Sequence, residues 1–252
     1  YIVIGRYYSA TQLGQYTRAE QFSTIFSSNL TSVFQRVSYP VLSSIQEEPE
    51  RLRDAYRKII KVTMLITFAL MFGLAAIAKP LIVILIGEKW LMAVPFLQII
   101  CFSEMLYPLH AINLNILQVR GYSGLFLKLE IVKKIIAVIP IMIGIFWGIN
   151  YMLWGAVCIS LVSYILNSYY SGRLIDYSTV KQVKDIFPCF LVSSLVALLM
   201  WGITFLHFNF LVTLLLQVSV GILLAIVAYE RMRLEEYKEI RRIILSIIRK
   251  NS

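Results

Sequence analysis

Two long uncharged stretches dominate the pattern of polar and apolar positions along the chain. Residues 186–229 form a run of 44 residues that contains no Asp, Glu, Lys or Arg. A single helix of that length would measure about 66 Å, whereas the hydrocarbon core of a bilayer is about 30 Å thick. The run therefore predicts two membrane crossings joined by a turn at residues 207–209. Residues 135–172, which are also uncharged, predict another two crossings with a turn at residues 148–150.

The same pattern over the whole chain predicts an all-α, polytopic transmembrane helix bundle with about seven full crossings and a truncated first helix. Helices are expected because they satisfy their own backbone hydrogen bonds inside lipid. The predicted crossings are residues 1–8 (the end of a helix), 16–43, 62–86, 93–118 with an interruption at Pro108, 135–147, 152–170, 187–206 and 210–229. We expect residues 1–173 to form a six-helix lobe, residues 174–230 an additional helix pair, and residues 231–252 a basic amphipathic cytoplasmic tail.

Composition and charge fit a membrane protein and indicate its orientation. Hydrophobic residues make up 59% of the chain and charged residues 15%, against about 25% charged residues in soluble domains. Of the Lys and Arg residues, 19 fall on one side of the predicted membrane and two on the other. Because positive charge marks cytoplasmic loops, the C-terminus is predicted to be cytoplasmic. The net charge of +10 is thereby explained by topology, and no nucleic-acid partner is expected.

The second predicted crossing carries the richest set of candidate site residues. Arg18 and Arg36 are 18 residues apart, which is about five helical turns, so they share a face that also includes Asn29 and Ser32 and is flanked by Gln21. Ionisable groups at membrane depth are costly unless they face protein or water. We therefore expect this face to line a positively charged cavity for an anionic solute, although the arginines could instead reach the two membrane surfaces.

Two neighbouring crossings add further candidates. Arg6, on the first helix, is a possible partner for Glu20 on the second. On the fourth crossing, the substrate-cavity candidates Glu104, Asn115 and Gln118 share one helical face, and His110 points away from it. Glu104 could be a coupling carboxylate or a hydrogen-bonded acid between helices. No nucleophile elbow, phosphate-binding loop or zinc motif occurs in the sequence, so we predict no enzyme activity, no cofactor and no metal.

The C-terminal tail has an amphipathic pattern. Arg231, Lys238, Arg242, Arg249 and Lys250 fall opposite an apolar set with helical spacing, which comprises Leu234, Tyr237, Ile240, Ile244 and Ile247. This pattern is typical of a helix that lies on anionic lipid headgroups. A solvated extension of the last helix and a partner-binding helix are the alternatives.

Three segments carry a resemblance to a known family. The segments are LGQYTRAEQF from Leu13, VSYPVLSSIQEEPERLRDAYRKI from Val37 and LYPLHAINLNILQVRGYSGLFLKLEIVKK from Leu106. They resemble the polysaccharide transporter family of bacterial flippases, within the multidrug/oligosaccharidyl-lipid/polysaccharide exporter superfamily. The resemblance implies two six-helix lobes around a central cavity, of which this chain would be the C-terminal one. It also implies alternating access that moves an undecaprenyl-pyrophosphate-linked glycan across the bacterial inner membrane.

The same resemblance implies a set of partners: the lipid-linked glycan, membrane lipids, an N-terminal lobe of the same protein and a polysaccharide polymerase or co-polymerase. Three alternative functions remain open. A drug/cation antiporter of the same superfamily would rely on cavity carboxylates, which three in-membrane arginines against Glu20 and Glu104 disfavour. An envelope polysaccharide polymerase usually needs a large outer loop, and every predicted outer loop is short. A scaffold in an assembly complex would need no cavity.

Overall fold

The computed structural model describes residues 2–232 and residue 237. This part of the chain contains ten α-helices, two short 3₁₀ turns at Glu88–Trp90 and Ile203–Leu206, and no β-strand. The helices are α1 Ile2–Tyr7, α2 Ala10–Ser44, α3 Pro49–Ile86, α4 Ala93–Glu104, α5 Tyr107–Val119, α6 Ser123–Ile136, α7 Val138–Trp147, α8 Ile149–Ile175, α9 Thr179–Gly202 and α10 Phe210–Arg231.

Four segments of the described chain are long and apolar enough to cross a membrane. They are α3, α8, α10 and the segment Thr179–Leu206, which joins α9 to the turn that follows it. The predicted all-α, multi-pass membrane helix bundle is thus confirmed. The other predicted crossings take different forms. α2 is a single helix of 35 residues with many polar positions. The fourth crossing is divided into α4 and α5, and the fifth corresponds mainly to α7.

Helix α3 forms the centre of the bundle. Tyr56, Ile60, Met64, Phe68 and Met71 are each at most 2% exposed. Their spacing of three or four residues puts them on one face of the helix. This helix packs most extensively against α9 and also contacts α2, α4 and α10.

Helix α2 packs through small side chains. Ala19, Ser23, Ser27 and Thr31 recur every four residues and are at most 4% exposed. Small residues allow helix backbones to approach closely within membranes, and this stripe faces α4 and α5. The helix begins six residues before the predicted start because Ser9 and Gln12 form a reciprocal capping box.

Two predicted turns lie where the sequence places them. Gly148 separates α7 from α8 with φ of 109°, a conformation that glycine adopts without a steric penalty. His207, which follows the 3₁₀ turn Ile203–Leu206 after α9, has a left-handed backbone conformation. The Asn209 side chain accepts a hydrogen bond from the Val212 amide at 2.8 Å. Local turn and cap chemistry therefore determines both reversals of the chain.

Some expected loops are helical instead. α3 begins at Pro49 and not at residue 62, so Arg57 belongs to a helix. α6 occupies most of the predicted loop between the crossings 93–118 and 135–147. Lys133 and Lys134 consequently lie on α6. Lys133 pairs with Glu130 one turn earlier, and an ion pair at this spacing supports a helix in spite of its charges. Apart from Arg231, Met232 and Tyr237, the predicted amphipathic tail lies outside the described residues.

Candidate functional site

The two arginines of α2 lie on its exposed side. Both Arg18 and Arg36 are exposed, and they project away from the buried stripe of small residues. Arg18 donates a hydrogen bond from Nη1 to Gln21 Oε1 at 2.9 Å, and its guanidinium carbon is 5.4 Å from the centre of the Trp90 ring. These contacts fix the Arg18 guanidinium near the connection between α3 and α4.

The middle of this α2 face is less polar than its ends. Asn29 donates to the Ile25 carbonyl at 2.6 Å, and Ser32 donates to the Asn29 carbonyl at 2.9 Å. Both side chains therefore hydrogen-bond to their own helix. Ile25 and Val33 are 56% and 57% exposed on the same side of α2. The structure thus presents two cationic ends that are joined by a mixed surface.

Arg6 and Glu104 occupy other positions in the bundle. Arg6 is exposed on α1, and its pairing with Glu20 stays a prediction. Glu104, at the end of α4, accepts a hydrogen bond from Ser27 Oγ at 2.5 Å. Because Ser27 belongs to the buried stripe, Glu104 lies on the opposite side of α2 from the arginines. The structure therefore does not place Glu104 beside the arginine-bearing face.

A polar pocket of about 460 Å³ lies behind α2, between α2, α5, α6 and α8. Asn115 and Gln118 both line it, so the structure brings these two predicted candidates together. The other polar and aromatic lining residues are Thr31, Gln35, Tyr107, His110, Phe126, Glu130, Lys133, Lys134 and Ser163. His110, which the sequence places away from this face, is therefore part of the pocket.

Two contacts locate the pocket along the bundle. Asn115 Nδ2 is 3.4 Å from Ser38 Oγ on α2. Arg120 Nη1 donates to the Gln46 carbonyl at 2.9 Å, which joins the end of α5 to the connection after α2. The pocket therefore lies toward the end of the bundle that contains the C-terminal end of α2 and Arg36.

Sequence reasoning missed most of the polar and aromatic lining of this pocket, including Glu130, Lys133 and His110. Lys133 has only 15% of its side chain exposed and Glu130 has 33%, although both were assigned to a loop. His110 Nε2 lies 3.2 Å from Ser160 Oγ on α8. The spacing of Glu130 and Lys133 within an apolar segment was the available signal, because such a pair is expensive in a membrane unless it faces a polar space.

The structure offers no evident metal centre in the part of the chain that it describes. Within residues 2–232 and 237, no group of three His, Cys, Asp or Glu side chains is positioned to hold a metal ion.

Comparison with known proteins confirms the resemblance that the sequence suggests. Residues 1–95 match the model of a family described as polysaccharide biosynthesis protein. The chain is 24% identical to the teichuronic acid biosynthesis protein TuaB of Bacillus subtilis over 87% of the chain and 46% of the relative. It is 25% identical to the lipopolysaccharide biosynthesis protein WzxC of Escherichia coli over 57% of the chain and 29% of the relative.

A further relative is named as a transport protein. The chain is 30% identical to the succinoglycan biosynthesis transport protein ExoT of Rhizobium meliloti over 41% of the chain and 21% of the relative. The chain spans less than half the length of these curated relatives. No solved structure matches it. By name these relatives are biosynthesis proteins of teichuronic acid, lipopolysaccharide and succinoglycan, and the last is a transport protein. Their likeness to this chain supports a transporter role.

Proposed function

We propose that this chain is part of a flippase that moves undecaprenyl-pyrophosphate-linked oligosaccharide or polysaccharide repeat units across the bacterial inner membrane by alternating access. The observation that carries the proposal is the exposed arginine-bearing face of α2, on a chain similar to polysaccharide biosynthesis and transport proteins. A pyrophosphate group needs cationic partners when it leaves water. Guanidinium groups bind phosphate oxygens in a two-point geometry that Lys cannot reproduce.

The spacing of the arginines suits a transfer across the membrane. Arg18 and Arg36 are about 27 Å apart along an α-helix, and the hydrocarbon core is about 30 Å thick. One guanidinium therefore lies near each surface. In the proposed cycle Arg36 receives the pyrophosphate on the cytoplasmic side, and Arg18 holds it on the outer side after the cavity has changed its opening.

The proposal includes a second lobe. The relatives are more than twice as long as the matched part of this chain, which leaves room for a lobe opposite α2 that would close the cavity. Residues 1–173 form one lobe in this scheme, residues 174–230 an additional pair, and residues 231–252 a cytoplasmic tail. Rocking of one lobe against the other exposes the arginine-bearing face to each side in turn. A polysaccharide polymerase or co-polymerase is the proposed receiver of the product.

Surface polysaccharide in cells tests the proposal. A strain without its own flippase is supplied with the protein or with the variants Arg18→Ala, Arg36→Ala, Arg18→Lys and Arg36→Lys. We expect the alanine variants to reduce surface polysaccharide more than tenfold, with normal protein levels, and the lysine variants to retain part of the activity. Arg51→Ala is the control, because Arg51 is an exposed residue at the start of α3. Full export by both alanine variants would contradict the proposal.

A further inference from the structure

The polar pocket combines neutral donors and acceptors with aromatic rings. Gln35, Asn115 and Gln118 supply side-chain amides, each of which can donate and accept hydrogen bonds. Tyr107 and Phe126 supply flat apolar faces in the same wall. Binding pockets use a few convergent polar groups on a mainly apolar wall to orient a ligand. A sugar ring offers the matching surface, since it carries hydroxyl groups around its edge and C–H groups on its faces.

His110 lines this pocket and holds a buried acceptor. Ser160 Oγ donates to the Ser103 carbonyl at 2.9 Å, so its single proton is already used. The 3.2 Å contact between His110 Nε2 and Ser160 Oγ therefore requires the histidine to donate from Nε2. This leaves Nδ1 as an acceptor, and Nδ1 is buried with no hydrogen-bond partner among the described residues. A buried acceptor of this kind favours a ligand with an O–H group.

Glu130 and Lys133 offset each other in the pocket lining, which also contains the exposed Lys134. Glu130 and Lys133 form an ion pair within α6, so a bound group does not have to neutralise either charge. The carboxylate can still accept hydrogen bonds, and the ammonium carries more than one N–H donor. Hydroxyl groups, which both donate and accept, suit such a pair. The pocket of about 460 Å³ is within the range of small-molecule sites.

We propose that this pocket binds a hexose ring of the glycan that is attached to the lipid pyrophosphate. The inference rests on the proposed function for how the sugar arrives. Gln35 lines the pocket and is followed directly by Arg36. Arg36 is exposed about 100° around α2 from Gln35, so the sugars of a lipid held by Arg36 would reach the pocket around the side of the helix. The hexose donates a hydroxyl proton to His110 Nδ1 and accepts hydrogen bonds from Lys133 and Asn115.

Ligand binding to the purified full chain in lipid nanodiscs tests this assignment. The probes are undecaprenyl pyrophosphate, the same lipid carrying one glucose or one galactose, and free glucose or galactose. We expect at least one hexose-bearing lipid to bind about fivefold more tightly than the bare lipid. Stronger binding of that lipid than of the free hexose identifies the lipid-linked glycan as the source. Equal binding by the free hexose supports a sugar pocket that is filled from solution.

His110→Gln is the decisive variant. Glutamine can still donate to Ser160 from its amide nitrogen, but its carbonyl oxygen does not occupy the position of Nδ1, so we expect normal thermal stability and loss of the preference for the hexose-bearing lipid. The control Asn150→Ala, at the exposed start of α8, should keep the preference. Equal affinity of the unaltered protein for all the lipids, or an unchanged preference in His110→Gln, overturns the sugar pocket.

A further variant separates this inference from the proposed function. Arg36→Ala should weaken the bare and the hexose-bearing lipids alike and leave their affinity ratio unchanged, because Arg36 is assigned to the pyrophosphate. If the unaltered protein binds none of the lipids, the proposed function fails, and the sugar pocket fails with it. If it binds the bare lipid but does not prefer either hexose, the sugar pocket fails and the proposed function stands.

Discussion

Arg57 and Asp185 form a two-point ion pair that joins α3 to α9. Arg57 Nε and Nη2 donate to the two carboxylate oxygens at 2.5 and 2.7 Å. Tyr177, in the short connection between α8 and α9, donates to the same carboxylate at 2.7 Å. Burial and this hydrogen bond raise the pKa of Tyr177, so the phenol keeps its proton and continues to donate. The ion pair therefore fixes the start of α9 against the central helix.

Loss of Arg57 should be more costly than loss of a surface ion pair. Asp185 has only 13% of its side chain exposed, so Arg57→Ala leaves a mostly buried carboxylate with Tyr177 as its described donor. We expect a decrease in unfolding free energy of about 1–2 kcal/mol, measured by denaturation of the purified protein in detergent micelles. Arg51→Ala is the matched control, because its pair with Glu48 is 69% and 56% exposed. Equal effects of the two substitutions would contradict this account of the α3–α9 contact.

Gly172 should not tolerate a side chain. A Cβ atom added at Gly172 would lie 2.5 Å from the carbonyl oxygen of Tyr177 and 3.3 Å from the Cα of Ser178. The neighbouring atoms belong to the backbone, so they cannot move aside cheaply. We expect Gly172→Ala to destabilise the protein by about 1–3 kcal/mol and to lower its thermal unfolding temperature. Gly202→Ala, where no atom lies within 4 Å of the added Cβ, should be nearly neutral. An unchanged unfolding temperature in Gly172→Ala would show that the end of α8 can rearrange.

The predicted orientation can be measured with single cysteines. Asn150 follows the turn between α7 and α8, Glu47 lies between α2 and α3, and both are exposed. In a background with Cys158→Ser, in which Cys101 and Cys189 are buried, Asn150→Cys should react with a membrane-impermeant maleimide added to intact spheroplasts. Glu47→Cys should react only after the membrane is permeabilised. The reverse pattern would overturn the cytoplasmic assignment of the basic connections and of the C-terminus.

The elements that could be predicted from sequence are those with local causes. Gly148 and Asn209 mark their turns because a positive φ and a side-chain cap depend on one residue and its neighbours. The uncharged runs likewise predict α8, α9 and α10, since hydropathy and length alone decide whether a helix can span a membrane.

The misassigned parts depend on long-range contacts or on paired charges. Lys133 counts as a loop residue until Glu130 is seen to pair with it within α6. Ser23 and Ser27 read as polar, yet their small size lets α2 pack against α4 and α5. The helical period places Arg18 and Arg36 on one face, but only the position of the serine stripe decides which way that face points. The role of His110 depends on Ser160 in another helix.

Glu104 distinguishes the flippase from a drug/cation antiporter of the same superfamily. Ser27 Oγ donates to Glu104 Oε2 at the buried contact between α2 and α4, and a glutamine carbonyl can accept the same hydrogen bond. We therefore expect Glu104→Gln to keep surface polysaccharide export within about twofold, because the proposed mechanism assigns no proton or cation to this side chain. Glu104→Ala should lower thermal stability, since it leaves the buried Ser27 hydroxyl without this acceptor. An antiporter that uses Glu104 would instead lose transport in Glu104→Gln at normal protein levels. That result would make Glu104 a coupling carboxylate and would require a different mechanism from the one proposed for the arginines of α2.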